Sequence, residues 1–473
     1  MIPLETFDFF RKEYYYFPAM AGSGTGNMTE GNPLVLILKF TLPLLMGNLF
    51  QQAYNVADAV IVGQVLGAKA LAGVGASSSV QFLILGFCIG LCGGFSIPVA
   101  QSFGAKDRSS LRKYIFHSFL IVGILSLVIT LLCVFICDNI LMLLRTPDDI
   151  YNEAYIYLMV IFIGIPFTLL YNITAGILRA VGDSRDPFMF LAVSTVLNIG
   201  LDLVFILVLK LGVAGAGIAT VASQALSGFL CLIFIIKKDR FLLPRKEDMA
   251  VRGRYIKTLF GMGLPMGMQY SITAVGSMVM QSANNSLGSI YVSAFTAGTK
   301  IKQFTICPFD ALATAVSTYA GQNYGSGNVQ RIRKGYRISI LISMIYAAIA
   351  GVLLILFGRS LSSFFVGSAS DAILDSAARY LRAIGLFLWA LGILNVSRLT
   401  VQGLGFSSLT ILSGVSEMAA RILMSILAVP VFGYSAICFT DQSAWLAACF
   451  YIVPLCFICI NKVDRQLKVQ AGI

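Results

Sequence analysis

Residues 116–137 read FHSFLIVGILSLVITLLCVFIC, an apolar run without Asp, Glu, Lys or Arg. Its length is close to the ~20 residues that an α-helix needs to cross the ~30 Å hydrocarbon layer of a bilayer. The apolar side chains do not alternate with polar ones, as the strands of a membrane β-barrel require. Because backbone polar groups in lipid must find partners within their own segment, this run predicts a transmembrane helix.

The rest of the chain repeats this pattern. Hydrophobic residues make up 58% of the 473 residues and charged residues only 12%, against roughly 25% charged in an ordinary soluble domain. The composition therefore predicts an all-α integral membrane protein with twelve transmembrane helices. We place them at 35–62, 71–99, 115–137, 155–178, 187–209, 213–236, 258–283, 291–320, 337–358, 380–402, 409–431 and 441–461.

The net charge of +12 is unevenly distributed. If the N-terminus lies inside, most of the 34 Lys and Arg residues fall in stretches on the inner side, which is the positive-inside bias. This bias predicts a multi-pass inner-membrane protein with both termini cytoplasmic, and it accounts for the charge without a nucleic-acid partner. The densest inner stretch, 237–257, carries Lys237, Lys238, Arg240, Arg245, Lys246, Arg252, Arg254 and Lys257.

Cysteine and histidine usage excludes several kinds of site. The ten cysteines lie in or at the edge of apolar spans, so we expect neither disulfides nor a redox pair at Cys456 and Cys459. The single histidine, His117, excludes a metal centre built on several imidazoles.

Two similar stretches indicate an internal duplication. QSFG at 101–104 is followed by LRK at 111–113, and QNYG at 322–325 is followed at the same spacing by IRK at 332–334. Each copy then holds six spans. Because six is even, both copies enter the membrane in the same direction, which predicts two six-helix lobes related by a pseudo-twofold axis along the membrane normal.

The duplication sets the domain boundaries. We assign 1–34 to an N-terminal cytoplasmic extension, 35–236 to an N-lobe, 237–257 to a basic cytoplasmic linker, 258–461 to a C-lobe and 462–473 to a cytoplasmic tail. Residues 1–27 contain no cleavable signal, and Met28 would itself be a sensible start. We interpret residues 1–27 as either native or a dispensable, non-native addition.

Polar residues within the first span share one helix face. Gln51, Asn55 and Asp58 recur at helical spacing, with Tyr54 beside them. An ionisable group in hydrocarbon is costly, so each one predicts a function. This stripe is expected to face a cavity or another helix.

The fifth and sixth spans carry matching groups. Asn198 and Asp202 lie four residues apart on one face, and Thr220 lies in the next span. At 1.5 Å per residue, Asp58, Asp202 and Thr220 all lie roughly 6–11 Å below the outer face, so they can converge within the N-lobe.

Two carboxylates in a confined pocket cannot both be ionised cheaply, so they would bind a proton or share a cation. Oxygen ligands suit Na⁺ as well as H⁺. The sequence thus predicts a cation-coupling site at Asp58, Asn198, Asp202 and Thr220, with Asp58, Asn198 and Asp202 as the candidate Na⁺ ligands. The alternative is that both acids only accept hydrogen bonds between packed helices.

The C-lobe is poorer in acids. Asp310 in the eighth span is a candidate cavity-lining residue, whereas Glu417 and Arg421 are spaced to form a structural ion pair. Coupling is therefore predicted in the N-lobe.

Several motifs together resemble the multidrug and toxic compound extrusion (MATE) family. They are NVAD at 55–58, the two Gln-x-x-Gly loops, TP at 146–147, GILRAVGDSRDP at 176–187 and GVAG at 212–215. The resemblance covers about 30–461. It implies twelve helices in two lobes, and export of cationic or amphipathic compounds against entering Na⁺ or H⁺.

The resemblance also implies roles for particular residues. Asp58, Asn198, Asp202 and Thr220 match the family's N-lobe cation positions. Tyr171 and Asn172 are similar to a polar position on helix four near that site. The candidate cavity-lining set is Gln51, Tyr54, Asn55, Tyr171, Asn172 and Asp310. The acids that some members carry in helices seven and ten have no counterpart at 258–283 and 380–402.

We therefore expect a secondary active antiporter for small organic substrates. It would work by alternating access as a monomer in lipid, with no cofactor besides the coupling ion. One alternative is a lipid-linked oligosaccharide flippase of the same superfamily, for which Lys300, Lys302 and Arg398 are the evident cationic candidates. A more distant one is an integral-membrane enzyme, which would need more acids at one membrane face than the pair at 148–149.

Overall fold

The computed structural model describes residues 26–143, 146–366 and 371–470. These residues are almost entirely helical, and no strand occurs among them. The twelve predicted spans each correspond to a helix, which confirms the fold class; the fourth helix is broken into two segments. The helices are α1 Pro33–Val65, α2 Ala68–Gly104, α3 Arg108–Phe135, α4a Asp148–Ile163, α4b Ile165–Ala180, α5 Arg185–Leu203, α6 Val213–Lys237, α7 Gly253–Asn285, α8 Ser289–Gly325, α9 Val329–Val366, α10 Asp371–Gly403, α11 Ser407–Leu423 and α12 Tyr434–Gln470.

Shorter elements complete the described chain. A short helix, Cys137–Leu143, follows α3, and a four-residue helix, Val429–Phe432, precedes α12. Single π-helical turns extend α5 and α11 at Val204–Val208 and Met424–Ala428. Residues 1–25 of the predicted extension and 471–473 of the predicted tail lie outside the described residues.

Most of the helices satisfy the requirements of a membrane span. In the described part of the chain, nine are long and apolar enough to cross a bilayer, or ten when α4a and α4b are counted as one bent span. The bend is 46° at Gly164, where Pro166 in the first turn of α4b has no N–H to continue the helical ladder. The helices α7 and α8 are long enough but fall below this level of apolarity.

The two halves share backbone details that support the pseudo-twofold axis. Equivalent turns use glycines with positive φ, which side chains with a Cβ adopt only with strain. The pairs are Gly67 (88°) and Gly288 (104°), Gly182 (93°) and Gly405 (90°), and Gly212 (61°) and Gly433 (57°).

The helix ends define two sides of the molecule. We call the side that carries the connection between α6 and α7 the linker side, and the opposite one the far side. The linker is pinned to α3, since Arg112 Nε lies 2.6 Å from Asp248 Oδ2 and both side chains are buried. The backbone N–H of Arg252 donates to Nε2 of the buried His117 at 3.0 Å.

The hydrophobic cores follow the lobes with two exceptions. Ile37 and Phe40 of α1 are fully buried within the C-lobe core, and Leu259 of α7 belongs to the N-lobe core. The first helix of each lobe therefore packs its linker-side half into the other lobe. At the boundary between the lobes, α2 packs closely on α7: a Cβ on Gly94 of α2 would collide with the backbone of Gly263 of α7.

The lobes meet closely on the linker side. Gly104 is in tight contact with the carbonyl of Gln322, and Gly325 is in tight contact with the carbonyl of Gln101. Gln101 Nε2 donates to the Gly403 carbonyl at 3.0 Å, and Gln322 Nε2 donates to the Ala180 carbonyl at 2.9 Å. The repeated Gln-x-x-Gly loops thus close this side symmetrically. Among the described residues, the direct hydrogen bonds between lobes lie here or near mid-height, where Asn48 meets Cys307 and Ser271 meets Leu83.

Candidate cation site

A small polar cavity lies inside the N-lobe between α1, α5 and α6. The cavity volume open to the centre of a water molecule is about 10 Å³. This is close to the minimum that holds one water molecule. The cavity therefore has the size for a single water or ion. It is lined by Tyr54, Leu191, Ser194, Thr195, Asn198, Thr220, Ser223, Gln224 and Ser227.

The predicted coupling residues gather in this region. Asn198 and Thr220 line the cavity. Asp58 and Asp202 are buried and interact electrostatically with each other. Both acids also lie within electrostatic reach of Tyr54, which lines the cavity.

These polar groups are not satisfied by the protein. Within the described residues, both side-chain atoms of Asn198, both carboxylate oxygens of Asp202 and Oδ1 of Asp58 have no hydrogen-bond partner. Each buried, unsatisfied polar group costs roughly 1–3 kcal/mol, and more when it is charged. This argues against acids that merely accept hydrogen bonds between helices, and for a pocket whose oxygens are completed by something that binds.

The donor set suits a hard cation or a proton. The pocket offers amide and hydroxyl oxygens, and the carboxylates of Asp58 and Asp202 lie beside it. Such oxygens are the ligands that alkali cations prefer. In the part of the chain that the structure describes, no three His, Cys, Asp or Glu side chains come together to hold a metal ion. The chemistry available is thus Na⁺ coordination, or proton binding by one acid next to the other.

Several residues that line the cavity were not predicted from the sequence. Ser223, Gln224 and Ser227 continue the face of α6 that carries the predicted Thr220, and this stripe could have been found from the sequence. Ser194 and Thr195 extend the α5 face in the same way, and Ser227 Oγ donates to Ser194 Oγ at 2.6 Å. Tyr157 of α4a, which is buried beside the two acids, was also not predicted.

Four other predicted residues do not line this small cavity themselves, although Gln51 lies beside Tyr54, which does. Tyr171 packs at the contact of α4b with Gly228 of α6, and the amide of Asn172 donates to Thr168 in its own helix at 2.8 Å. Asn55 is exposed and Gln51 is half-buried. None of these four lines the described cavity.

Asp310 stands apart, on α8 of the C-lobe. Its side chain is exposed, and Oδ1 accepts a hydrogen bond from Asn395 of α10 at 3.0 Å. One turn away, Asn48 of α1 donates to the carbonyl of Cys307 at 3.5 Å. Asp310 therefore lies near the boundary between the lobes.

The C-lobe contains a buried chain of alternating charges. Lys302 Nζ lies 2.7 Å from Asp441, Asp441 lies 3.1 Å from Arg421, and Arg421 lies 3.5 Å from Glu417, as the sequence spacing of that last pair predicted. Glu417 also pairs with Arg398. Both acids of this ion-pair series, Glu417 and Asp441, therefore have cationic partners, in contrast to Asp58 and Asp202.

Equivalent positions in the two lobes thus have different surroundings. Thr220 and Asp441 each stand two turns into a helix that follows an equivalent glycine, Gly212 (φ 61°, ψ −142°) or Gly433 (φ 57°, ψ −136°). The N-lobe position lines a cavity, whereas the C-lobe position is filled by the Lys302 and Arg421 ion pairs. This restricts the candidate cation site to the N-lobe.

Comparison with known proteins decides the family. The MatE family model matches the chain twice, at residues 43–204 and 265–434. The chain belongs to the MATE family. The resemblance identified from the sequence is confirmed, and the two matches fall one in each lobe.

Curated relatives of this MATE transporter include multidrug resistance proteins. It is 32% identical over 369 residues to the probable multidrug resistance protein YpnP of Bacillus subtilis, covering 78% of this chain and 82% of the relative. It is 24% identical over 370 residues to a FAD transporter of Shewanella oneidensis, covering 76% and 80%. Similarity to MepA, a multidrug export protein of Staphylococcus aureus strain RF122, is 23% over 399 residues, covering 83% and 87%.

Solved structures agree on the fold. A MATE family transporter of the MOP superfamily, solved in an outward-facing conformation, superimposes with a TM-score of 0.87 at 22% identity, covering 93% of this chain and 99% of that one. A MOP superfamily transporter from Pyrococcus furiosus gives a TM-score of 0.82 at 22% identity, covering 94% and 98%. This MATE transporter is therefore a multi-pass membrane protein with the twelve-helix fold.

Proposed function

We propose that this MATE transporter is a secondary antiporter that exports organic cationic or amphipathic compounds in exchange for Na⁺ or H⁺. The observation that carries the proposal is the pair of buried acids, Asp58 and Asp202, without protein hydrogen-bond donors beside the cavity of Asn198 and Thr220. Two acids that interact electrostatically favour the arrival of a proton or a cation. Binding there would change the charge balance of the N-lobe interior, which is what ion coupling requires.

The proposed orientation follows from the distribution of charge. The segment 237–257 carries eight Lys and Arg residues, so the linker side faces the cytoplasm in this proposal. The lobes are in close contact on that side, through Gln101 and Gln322. The described conformation is then closed on the proposed cytoplasmic side, and in the proposed alternating-access cycle the coupling ion enters from outside.

Asp310 is the proposed counter-charge for a cationic substrate. It is exposed near the lobe boundary, and a single hydrogen bond from Asn395 holds it. It differs in this respect from Glu417 and Asp441, whose charges are already paired. An organic cation between the lobes would find Asp310 as an accessible carboxylate of the C-lobe.

The flippase alternative is less well supported. A pyrophosphate head group needs several accessible cationic side chains. Lys302 and Arg398, two of the three candidates, are held by Asp441 and Glu417 inside the C-lobe. Their charges are therefore committed to pairs within the protein.

The test is ethidium export from proteoliposomes driven separately by a Na⁺ gradient or a pH gradient. We expect one gradient to drive export by the wild type, and Asp58→Asn and Asp202→Asn to reduce it to the level of empty vesicles. Asp149→Asn, a change at an exposed acid on the far side, is the matched control and should export like the wild type. Gradient-driven export that survives both N-lobe substitutions would contradict the proposal.

A binding measurement separates the two ions. If Na⁺ is the coupling ion, detergent-solubilised wild type should bind ²²Na⁺ and Asp202→Asn should not. If H⁺ is the coupling ion, neither protein should bind ²²Na⁺, and only the pH gradient should drive export.

A further inference from the structure

The segment that precedes α1 is bound to the C-lobe by its backbone. We call residues 26–32 the strap. Met28 is fully buried, and its N–H donates to Oε1 of Gln322 at 2.9 Å. The Met28 carbonyl accepts hydrogen bonds from Asn323 Nδ2 and from Arg331 Nη2, each at 3.1 Å. Arg331 Nη1 also donates to the Gly31 carbonyl at 2.8 Å.

The strap contacts the N-lobe as well. The carbonyl of Gly26 is in tight contact with Gly182, in the turn between α4b and α5. Gly182 has a φ of 93°, and a Cβ at this position would overlap the strap. The strap thus lies between an N-lobe turn and the C-lobe ends of α8 and α9.

One side chain joins the strap to the closure of the lobes. Gln322 is fully buried; its Oε1 accepts from Met28, while its Nε2 donates to the Ala180 carbonyl of the N-lobe at 2.9 Å. Opening the linker side would break the bond to Ala180. Losing the strap would leave Oε1 of Gln322 buried without a donor, which is unfavourable. The two events therefore act on the same amide group.

The arrangement is asymmetric between the repeats. Gln101, the counterpart of Gln322, makes the equivalent bond to Gly403 across the lobes. Its amide has no strap hydrogen bond within the described residues. The strap therefore adds to the closed linker side an element that the duplication did not supply.

We propose that the strap is a lock on the linker side: when bound, it favours the conformation in which the lobes are closed there, and it must leave Gln322 and Arg331 before that side opens. The proposal rests on the alternating-access part of the proposed function. It assigns to Gln322 and Arg331 a positioning role in the conformational cycle, remote from the cation site.

Distances between spin labels test the lock directly. Labels at Ala105→Cys and Ser326→Cys, at the ends of α2 and α8, report the linker-side separation of the lobes. We expect mainly one short distance in the wild-type background, and a longer-distance population at least 5-fold larger in Arg331→Leu and Gln322→Leu. Nine of the ten native cysteines are buried and Cys449 is half-buried, so samples without the added cysteines give the labelling background.

Arg333→Leu is the matched control. Arg333 lies on α9 close to Arg331 but bonds Asn461 and Asp464 instead of the strap. It should leave the distances unchanged. Distances that stay unchanged in Arg331→Leu, or that change equally in Arg333→Leu, would overturn the proposal.

A second measurement leaves Gln322 and Arg331 intact. Met28→Cys places a thiol where the side chain is fully buried, so a water-soluble maleimide should react with it only when the strap is released. We expect at least 10-fold faster labelling during dye export than at rest. Equal rates in samples that export dye normally would refute the lock and leave the antiport proposal standing, whereas samples that export no dye would count against the proposed function.

Discussion

Asp183 lies outside the membrane spans, in the turn between α4b and α5. Burial raises the pKa of its carboxyl to about 7, and the nearby Asp186 adds to this effect, although backbone N–H groups of Arg185 and Asp186 oppose it. A carboxyl whose pKa is higher in the folded state than in the unfolded state binds more protons when folded. Its contribution to stability is therefore present at low pH and is lost as the pH rises through about 7.

Because this carboxyl stabilises the fold at low pH, the predicted pH dependence of stability is the reverse of ordinary acid denaturation. The wild-type Tm should fall as the pH is raised from about 5 to about 8, and Asp183→Asn should flatten that fall. The asparagine Oδ1 can still accept the two N–H hydrogen bonds, so the turn keeps its conformation. The measurement is a series of thermal unfolding curves in detergent across this pH range.

Asp107 provides the control for this series. It caps α3 by accepting a hydrogen bond from the Ser110 N–H at 3.0 Å. Although burial alone would raise its pKa, the hydrogen bonds from Ser110 and Ser109 outweigh burial and lower it. Its titration thus lies below the tested range, and Asp107→Asn should keep the wild-type slope. An unchanged slope in Asp183→Asn would show that other groups control the pH dependence.

At the scale of residues, spacing along the helices predicted which coupling candidates would lie close together. Asn198 and Thr220 line one cavity with Asp58 and Asp202 beside it, and their role in coupling stays a prediction. Tyr171 and Asn172 were chosen by resemblance alone, and neither lines the cavity. A polar residue in a helix can bond its own backbone, as Asn172 does, and sequence spacing cannot distinguish that from facing a cavity.

At the scale of helices, the ends of α2 and α8 depend on the absence of a side chain. Gly104 and Gly325 let each helix end touch the backbone carbonyl of the Gln in the other lobe. Because backbone cannot move aside as a flexible side chain can, a methyl group there must separate the lobes. Gly104→Ala should therefore favour the linker-open conformation.

The same pair of spin labels, at Ala105→Cys and Ser326→Cys, measures this effect. Gly104→Ala is expected to shift most of the population to the longer distance, and to slow dye export because the closed state is needed in every cycle. Gly123→Ala is the control, since a Cβ on Gly123 of α3 meets nothing within 4 Å. A normal short distance in Gly104→Ala would mean that the helix ends adapt without separating.

Helix number and order were predictable because apolar runs of membrane length leave few alternatives. Breaks within helices were not predictable. Pro43, Pro265 and Pro308 lie inside continuous helices, whereas the chain bends by 46° at Gly164, next to Pro166. At Gly164 a Cβ would collide with Val221 of α6, so the glycine at the bend also lets the neighbouring helix pack closely there.

At the scale of the whole molecule, the lobes share a fold but distribute charge differently. Within the described residues, the buried acids Asp58 and Asp202 of the N-lobe have no cationic partner, whereas Glu417 and Asp441 of the C-lobe belong to a series of ion pairs. We expect the C-lobe chain to support structure alone. Asp441→Asn should therefore destabilise the protein by about 3–5 kcal/mol, because Lys302 and Arg421 would remain buried without their shared carboxylate.

The ion dependence of export distinguishes this structural role from coupling. When dye export is normalised to the amount of folded protein, Asp441→Asn should require the same ion gradient as the wild type. Asp202→Asn should instead lose gradient-driven export altogether. Thermal unfolding and dye export on the same preparations measure both quantities. If Asp441→Asn alters the ion dependence, coupling involves both lobes.

The limited apolarity of α7 and α8 bears on how the chain is made. These two helices are the first two of the C-lobe, and they are less apolar than the other spans. Their transfer into the bilayer by hydrophobicity alone is therefore less favourable. Their partners are α1 and α2, which meet them at Asn48, Gly90 and Gly94 and leave the ribosome earlier. We therefore expect α1 and α2 of the N-lobe to assist the insertion of α7 and α8 into the membrane during biosynthesis.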